Sequence, residues 1–182
     1  LYSVAITGGT SIQLNGALGG ANGVEEGFLI SPDSNTAVYL SDEGTDGVIE
    51  LYSVPMTGGG PTKLNGAMIG GDVVEMAISP DGARVVYRAD QFLDGLNELW
   101  SVPIGGGAAT RLNAAIGGLS DVIDFTISPD SSRVVYLADY TDTLNELWSV
   151  PLSGGTVTKL NRTLVAGGDV QAFLISPDSD SV

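Results

Sequence analysis

The sequence predicts an all-β fold, and three observations carry that prediction. Two hairpin-like units alternate along nearly all of the 182 residues. Each unit holds a turn signal at a fixed place, and no 12-residue stretch shows the 3.6-residue hydrophobic period of a helix. The first unit reads LYSVAITGGTSIQLN from Leu1, LYSVPMTGGGPTKLN from Leu51, LWSVPIGGGAATRLN from Leu99 and LWSVPLSGGTVTKLN from Leu147, at periods of 50, 48 and 48 residues. The second reads FLISPDSNTAVYLSD, MAISPDGARVVYRAD and FTISPDSSRVVYLAD, and then FLISPDSDSV at the end of the chain.

In the first unit an apolar strand such as Leu99 to Pro103 meets a Gly-Gly turn, and a second strand ends at Leu112-Asn113. In the second, Phe125-Thr126-Ile127 runs into Ser128-Pro129-Asp130 and the chain returns through Arg133 to Tyr136. Proline presets φ at such a turn and aspartate accepts from the amides that follow it. Spacing separates what is fixed from what is free. The two leucines of the first unit are always 13 residues apart, and the Ser and Asp that bracket the second are always 11 apart. Between units the lengths drift: Leu14 to Ser31 is 17 and its later equivalents are 15, 16 and 16. A one-residue slip in a hairpin turns every side chain to the wrong face, whereas surface loops tolerate insertion. Gly58 and Gly106, in turns of fixed length, are therefore expected to need a positive φ; Gly70, in a loop of drifting length, is not.

Composition narrows function. The chain is 43% hydrophobic and 16% charged, with no run of apolar residues long enough for a transmembrane helix. Residue 1 already reads as strand, so no leader is expected. There is no cysteine for disulfides or thiolate metal sites and no histidine for a Ser–His or Cys–His dyad. Seven basic against 22 acidic residues give a net charge of −15, which argues against nucleic-acid binding. No nucleophile-elbow motif appears, and the Gly-Gly pairs open strands rather than helices, so they do not cradle phosphate.

Four strands per repeat of about 40–50 residues is the arrangement of a β-propeller blade. ISPDG-RVVY followed by ELWSVP-GG resembles the TolB-like propeller repeat, the Pro-Asp variant of the tryptophan–aspartate repeat. The resemblance covers essentially the whole chain. It implies that the SPD unit supplies inner strands a and b and the LWSVP unit outer strands c and d. On that framing, 1–182 is a single β-propeller segment. Residues 1–15 form a half blade; 24–64, 72–112 and 121–160 form complete blades; and 169–182 begin a further one, about 3.5 blades in all. It further implies a bacterial cell-envelope or extracellular setting, and a likeness to the propeller that covers prolyl-oligopeptidase-like hydrolases. Exposed blade faces leave two arrangements open: an excerpt of a longer repeat protein, or copies that pack edge to edge. A self-contained four-bladed ring is disfavoured, because the last blade lacks its second strand.

In an up-and-down blade successive connections alternate between the two ends. The fixed a–b and c–d turns share one face, with Asp33, Asp81, Asp130, Asp178 and Asp180. The remaining 17 acids fall in or beside the variable b–c and d–a loops, so that face is expected to be strongly negative. Its weak metal candidates are Asp42, Asp46, Asp90, Asp94, Asp139 and Asp142, since oxygen-only ligands in a loop suit calcium; none matches an EF-hand. The competing reading is that Asp42, Asp90 and Asp139, at the end of strand b, hydrogen-bond to loop backbone. No catalytic residue and no bound cofactor is expected.

Other aligned positions read as structure. Phe28, Met76, Phe125 and Phe173 are expected between blades, as are Tyr2, Tyr52, Trp100 and Trp148. Gln13, Lys63, Arg111 and Lys159, on the outermost strand, are expected to guard that edge against strand addition. Asn161-Arg162-Thr163 matches a glycosylation sequon. The function expected is a non-enzymatic protein-interaction or structural scaffold that binds through its acidic b–c and d–a loops. The alternatives are a self-assembling ring or filament subunit, with further copies as partner, and the accessory propeller of a hydrolase.

Overall fold

The computed structural model describes residues 1–18, 23–92, 95–114, 121–140, 144–165 and 167–182. These hold strands and turns and no helix. A two-stranded hairpin, β1 (Tyr2–Ser3) and β2 (Ile12–Gln13), opens the chain. Three four-stranded antiparallel sheets follow. The first is β3 (Val24–Ile30), β4 (Thr36–Thr45), β5 (Val48–Pro55) and β6 (Thr62–Lys63). The second is β7 (Val73–Ile78), β8 (Arg84–Ala89), β9 (Glu98–Pro103) and β10 (Thr110–Arg111). The third is β11 (Val122–Ile127), β12 (Arg133–Ala138), β13 (Glu146–Pro151) and β14 (Thr158–Lys159). Strands pair in chain order within each sheet, which makes each a propeller blade.

The register repeats from blade to blade. Tyr39 faces Tyr52, Tyr87 faces Trp100 and Tyr136 faces Trp148 across the two central strands. The first two pairs stack with ring centroids 5.6 and 6.5 Å apart. Trp148 instead meets the edge of Tyr140 at 4.8 Å. The tight turns are closed by serine: Ser31, Ser79 and Ser128 are buried, and each hydroxyl donates to the aspartate two residues on at 2.6 Å. Those bonds hold the turn aspartates below the usual carboxylate range, Asp130 at about 2, chiefly through the Ser128 hydroxyl.

Blades stack through one repeating contact. Leu51, Leu64 and Val38 of the first blade meet Val73, Val85, Tyr87 and Val102 of the second. Leu99, Leu112 and Val86 of the second meet Val122, Phe125, Val134, Tyr136, Val150 and Leu152 of the third. Leu14 of the opening hairpin meets Ala37, Tyr39, Tyr52 and Val54 in the same way. At the outer rim, Gly58, Gly106 and Gly154 adopt φ of 86°, 95° and 90°. A β-carbon there would lie 2.7–2.8 Å from a methyl of Ile12, Thr62 and Thr110, each on the preceding unit. Both the backbone and the neighbouring blade demand glycine at these turns. Gly70 departs from expectation: it too sits at positive φ, 124°, so drifting loop length did not signal a relaxed backbone.

The two ends of the described stack differ from its middle. Residues 170–175 enter no ladder among the described residues, and Val170, Phe173 and Ile175 pack on Val135, Leu137 and Leu147 of the third blade. Phe125 is buried and Met76 packs into the core, but Phe28 is 52% exposed and Tyr2 is exposed as well. The unit before β3 has only the outer strands c and d, so nothing covers an inner-strand aromatic there.

Candidate functional site: the loop face

The b–c and d–a loops are stitched together by carboxylates. At the end of strand b, Asp42 accepts the Gly23 amide at 2.7 Å, and Asp90 and Asp139 accept the amides of Asp72 and Asp121. Asp72, Asp121 and Asp169 then reach backwards, accepting the amides of Ile49, Asn97 and Asn145 of the preceding blade, each at 2.7 Å. A β-carbon on Gly71 would overlap the Asp90 carboxylate, so glycine makes room for that link. Of the calcium candidates, Asp42, Asp90 and Asp139 thus carry backbone amides, with Asp90 also taking Gly95 N at 3.1 Å. Asp46 is exposed in the turn between β4 and β5, and Asp94 and Asp142 lie outside the described residues. Among the described residues no group of three or more acids converges as a metal-ligand set.

A second stitch uses one position with three chemistries. Four residues after the strand-b tyrosine stand Glu43, Gln91 and Tyr140, each bonded to that tyrosine's hydroxyl at 2.8–2.9 Å. The same three accept the amides of Gly16, Gly66 and Ala114 in the preceding unit at 2.8–3.0 Å. Burial pushes the Tyr39, Tyr87 and Tyr136 phenols well above their ordinary range.

The strand-d cations do something the sequence reading missed. Lys63 pairs with Glu50, Lys159 with Glu146, and Arg111 stands 3.9 Å from Glu98, with the acid always on the neighbouring strand c. They neutralise a row of glutamates rather than simply guarding an edge. Glu50 and Glu98 are buried, and burial raises the Glu98 carboxyl above its ordinary value. Its Oε2 takes Phe92 N at 2.9 Å and Trp100 Nε1 at 3.3 Å. The signal was present: a glutamate always precedes the strand-c leucine by one residue in the three full blades, and a cation precedes the strand-d leucine.

These bonds tie down most of the face's charge, and its apolar tips remain in water. Leu18, Ile69 and Val165 in the d–a loops and Phe92 in a b–c loop are exposed. The Arg111 guanidinium lies 5.8 Å from the Phe92 ring centre. Asn161, in the sequon, is held as its counterparts Asn65 and Asn113 are: its Oδ1 accepts Leu147 N at 2.8 Å and its Nδ2 donates to Arg162 O at 2.9 Å.

No helix among the described residues is long and apolar enough to cross a membrane. No protein-family model matches the chain, and no curated protein matches it. Solved structures do. Putative TolB from Agrobacterium tumefaciens is similar at 22% identity and a TM-score of 0.56, over 77% of this chain and 47% of that one. TolB from Acinetobacter baumannii is similar at 17% identity and a TM-score of 0.54, over 79% and 34%. A Mycobacterium tuberculosis puromycin-hydrolyzing peptidase is similar at 17% identity and a TM-score of 0.58, over 82% and 22%. The chain thus spans less than half the length of these structures. With three antiparallel four-stranded blades stacked face to face, its fold is that of the TolB-like β-propellers.

Proposed function

We propose that the chain is a non-enzymatic interaction module and that its b–c and d–a loops form the binding face. The observation that carries this reading is that carboxylates tie the described loop segments to one another while apolar side chains beside them stay exposed: Leu18, Ile69, Phe92 and Val165. Exposed apolar side chains with a polar surround are an ordinary basis of protein recognition. The acidic surround selects for a partner surface of positive charge, in a cell-envelope or extracellular setting.

The test uses a fluorescent Lys/Leu amphipathic peptide and a Lys-only peptide of equal charge, titrated against the chain at low and high salt. Tight binding of the first alone, weakened at least tenfold in Leu18→Ser/Ile69→Ser/Val165→Ser, supports the reading. Equal binding of both peptides, or no effect of the triple variant, overturns it. A second reading, the accessory propeller of a peptidase, is favoured by the match that covers 22% of the mycobacterial peptidase. A full-length polypeptide carrying a separate Ser, Asp and His domain would establish it in place of the first.

A further inference from the structure

The joint between the first two blades carries a covalent hazard and the contact that restrains it. Asn65–Gly66 follows strand d of the first blade. An asparagine followed by glycine is chemically labile, because no side chain shields the glycine nitrogen from the asparagine side-chain carbonyl that it can attack. Here each group that reaction needs is engaged. Asn65 is 6% exposed; its Oδ1 accepts Leu51 N at 2.8 Å and its Nδ2 donates to Gly66 O at 2.9 Å. The nucleophile, Gly66 N, donates across the joint to Gln91 Oε1 of the second blade at 2.9 Å. Gln91 is itself buried, and the Tyr87 hydroxyl donates to the same oxygen at 2.9 Å.

Hazard and restraint come from the same residue. A β-carbon on Gly66 would lie 2.8 Å from Gln91 Nε2, so a larger residue would push the restraining side chain away. At the next joint Tyr140 reaches the amide of Ala114 at 3.0 Å, and the pair there is Asn113–Ala114, whose methyl group hinders ring closure. Asn15–Gly16 is restrained in the same way, its glycine amide held by Glu43 Oε2 at 2.8 Å.

We propose that Asn65–Gly66 is a latent deamidation site, closed by Gln91 and released when the joint between the first two blades opens. In the reaction Gly66 N gives its proton to hydroxide and bonds to Asn65 Cγ; the Cγ–Nδ2 bond breaks, and the nitrogen takes a proton from water and leaves as ammonia. Water then opens the succinimide at either carbonyl, leaving aspartate or isoaspartate with no change in oxidation state. Aspartate keeps an acceptor for Leu51 N and loses the donor to Gly66 O; isoaspartate also adds a methylene to the main chain. Neither product restores the native bonds, so a local opening leaves a permanent mark on this joint. The inference is independent of what the loop face binds.

The full chain, incubated at about 37 °C and pH 8, is followed at Asn65 by peptide mapping and mass spectrometry, beside a synthetic peptide of residues 62–69. The folded parent is expected to convert at least tenfold more slowly than the peptide. Gln91→Ala, with unchanged circular dichroism, is expected to convert at least about fivefold faster than the parent. Gln91→Glu, which keeps an acceptor as Glu43 does, is expected to stay within about twofold of it. Tyr87→Phe removes the partner that holds Gln91 and serves as the second variant should Gln91→Ala fail to fold; it too is expected to convert faster than the parent. Val150→Ala, at another joint, is expected to match the parent, which separates opening of this joint from general loosening. Asn65→Asp, the aspartate product made directly, is expected to lower the melting temperature. A parent as fast as the peptide, folded Gln91→Ala or Tyr87→Phe no faster than the parent, Gln91→Glu as fast as Gln91→Ala, Val150→Ala as fast as the Gln91 or Tyr87 variant, or an unchanged melting temperature in Asn65→Asp would overturn the proposal.

Discussion

Leu112 and Leu160 occupy the same place in the same repeat, yet one is 2% and the other 40% exposed. Gly106 and Gly8 share a φ near 90°, yet a β-carbon would strike Thr62 at the first and nothing at the second. The residues match; the neighbours differ. Burial in this molecule is therefore a property of the joint between units rather than of the unit, as in other arrays whose repeats touch only their nearest neighbours.

That contrast breaks first at the leucines. Leu112→Ala should destabilise by about 2–5 kcal/mol, the usual range for emptying a packed site, and Leu160→Ala by about 1 kcal/mol or less. Urea unfolding of both variants measures it; equal losses would mean the joint contributes nothing special.

The glycines separate backbone from packing. Gly8→Ala carries only the strain of a non-glycine residue at positive φ, on the order of 1–3 kcal/mol. Gly106→Ala adds an overlap with the Thr62 methyl and should lose roughly 1 kcal/mol more. In a double-mutant cycle, Thr62→Ala should recover that increment at Gly106 and leave Gly8→Ala unchanged.

A third comparison sets the buried Glu98 against the turn aspartates. Glu98 has a raised folded-state pKa, so its contribution is fully present below the unfolded value near 4.5 and is lost as pH rises through the folded one. The melting temperature of Glu98→Gln relative to the parent should therefore climb between pH 4 and pH 7. Asp130 has the opposite sign: its stabilisation is present above 3.8 and is lost as pH falls toward about 2. Asp130→Asn should flatten the parent's acid limb across that window.

The smallest effect is expected at the turn face. Ser131 and Ser179, at φ 61° and 66°, accept the amides of Asp81 and Asp130 from the preceding blade at 3.0 and 3.1 Å. Gly82 holds the same position at φ 73° without a hydroxyl. Gly82→Ser should supply the missing bond to Asp33 N, and thermal melting should show a gain of a few tenths of a kcal/mol, the surface bond being offset by serine's strain at positive φ.

How far the sequence revealed this follows from what repeats. Turn residues and strand registers recur at constant spacing, so the blades and the SPD turn chemistry could be read directly. Asp42, Asp90 and Asp139 were legible as backbone acceptors for the same reason. The glutamate–cation row also recurs, but only the antiparallel pairing of strands c and d reveals that 13 residues of separation in Glu50–Lys63 is a contact. Glu43, Gln91 and Tyr140 stayed hidden because three residue types fill one slot in loops of differing length. Phe28 was misjudged because alignment shows the position and not the neighbour.

The links between blades mostly end on main-chain groups: Asp72, Asp121 and Asp169 on amides of the blade before, and Glu43, Gln91 and Tyr140 likewise. Every blade offers those amides, whatever its side chains. A coding sequence that gained or lost one 48-residue unit in a single recombination would leave each remaining joint with its donors and acceptors. Excising or duplicating one such unit is thus expected to leave the main-chain links at each remaining joint in place.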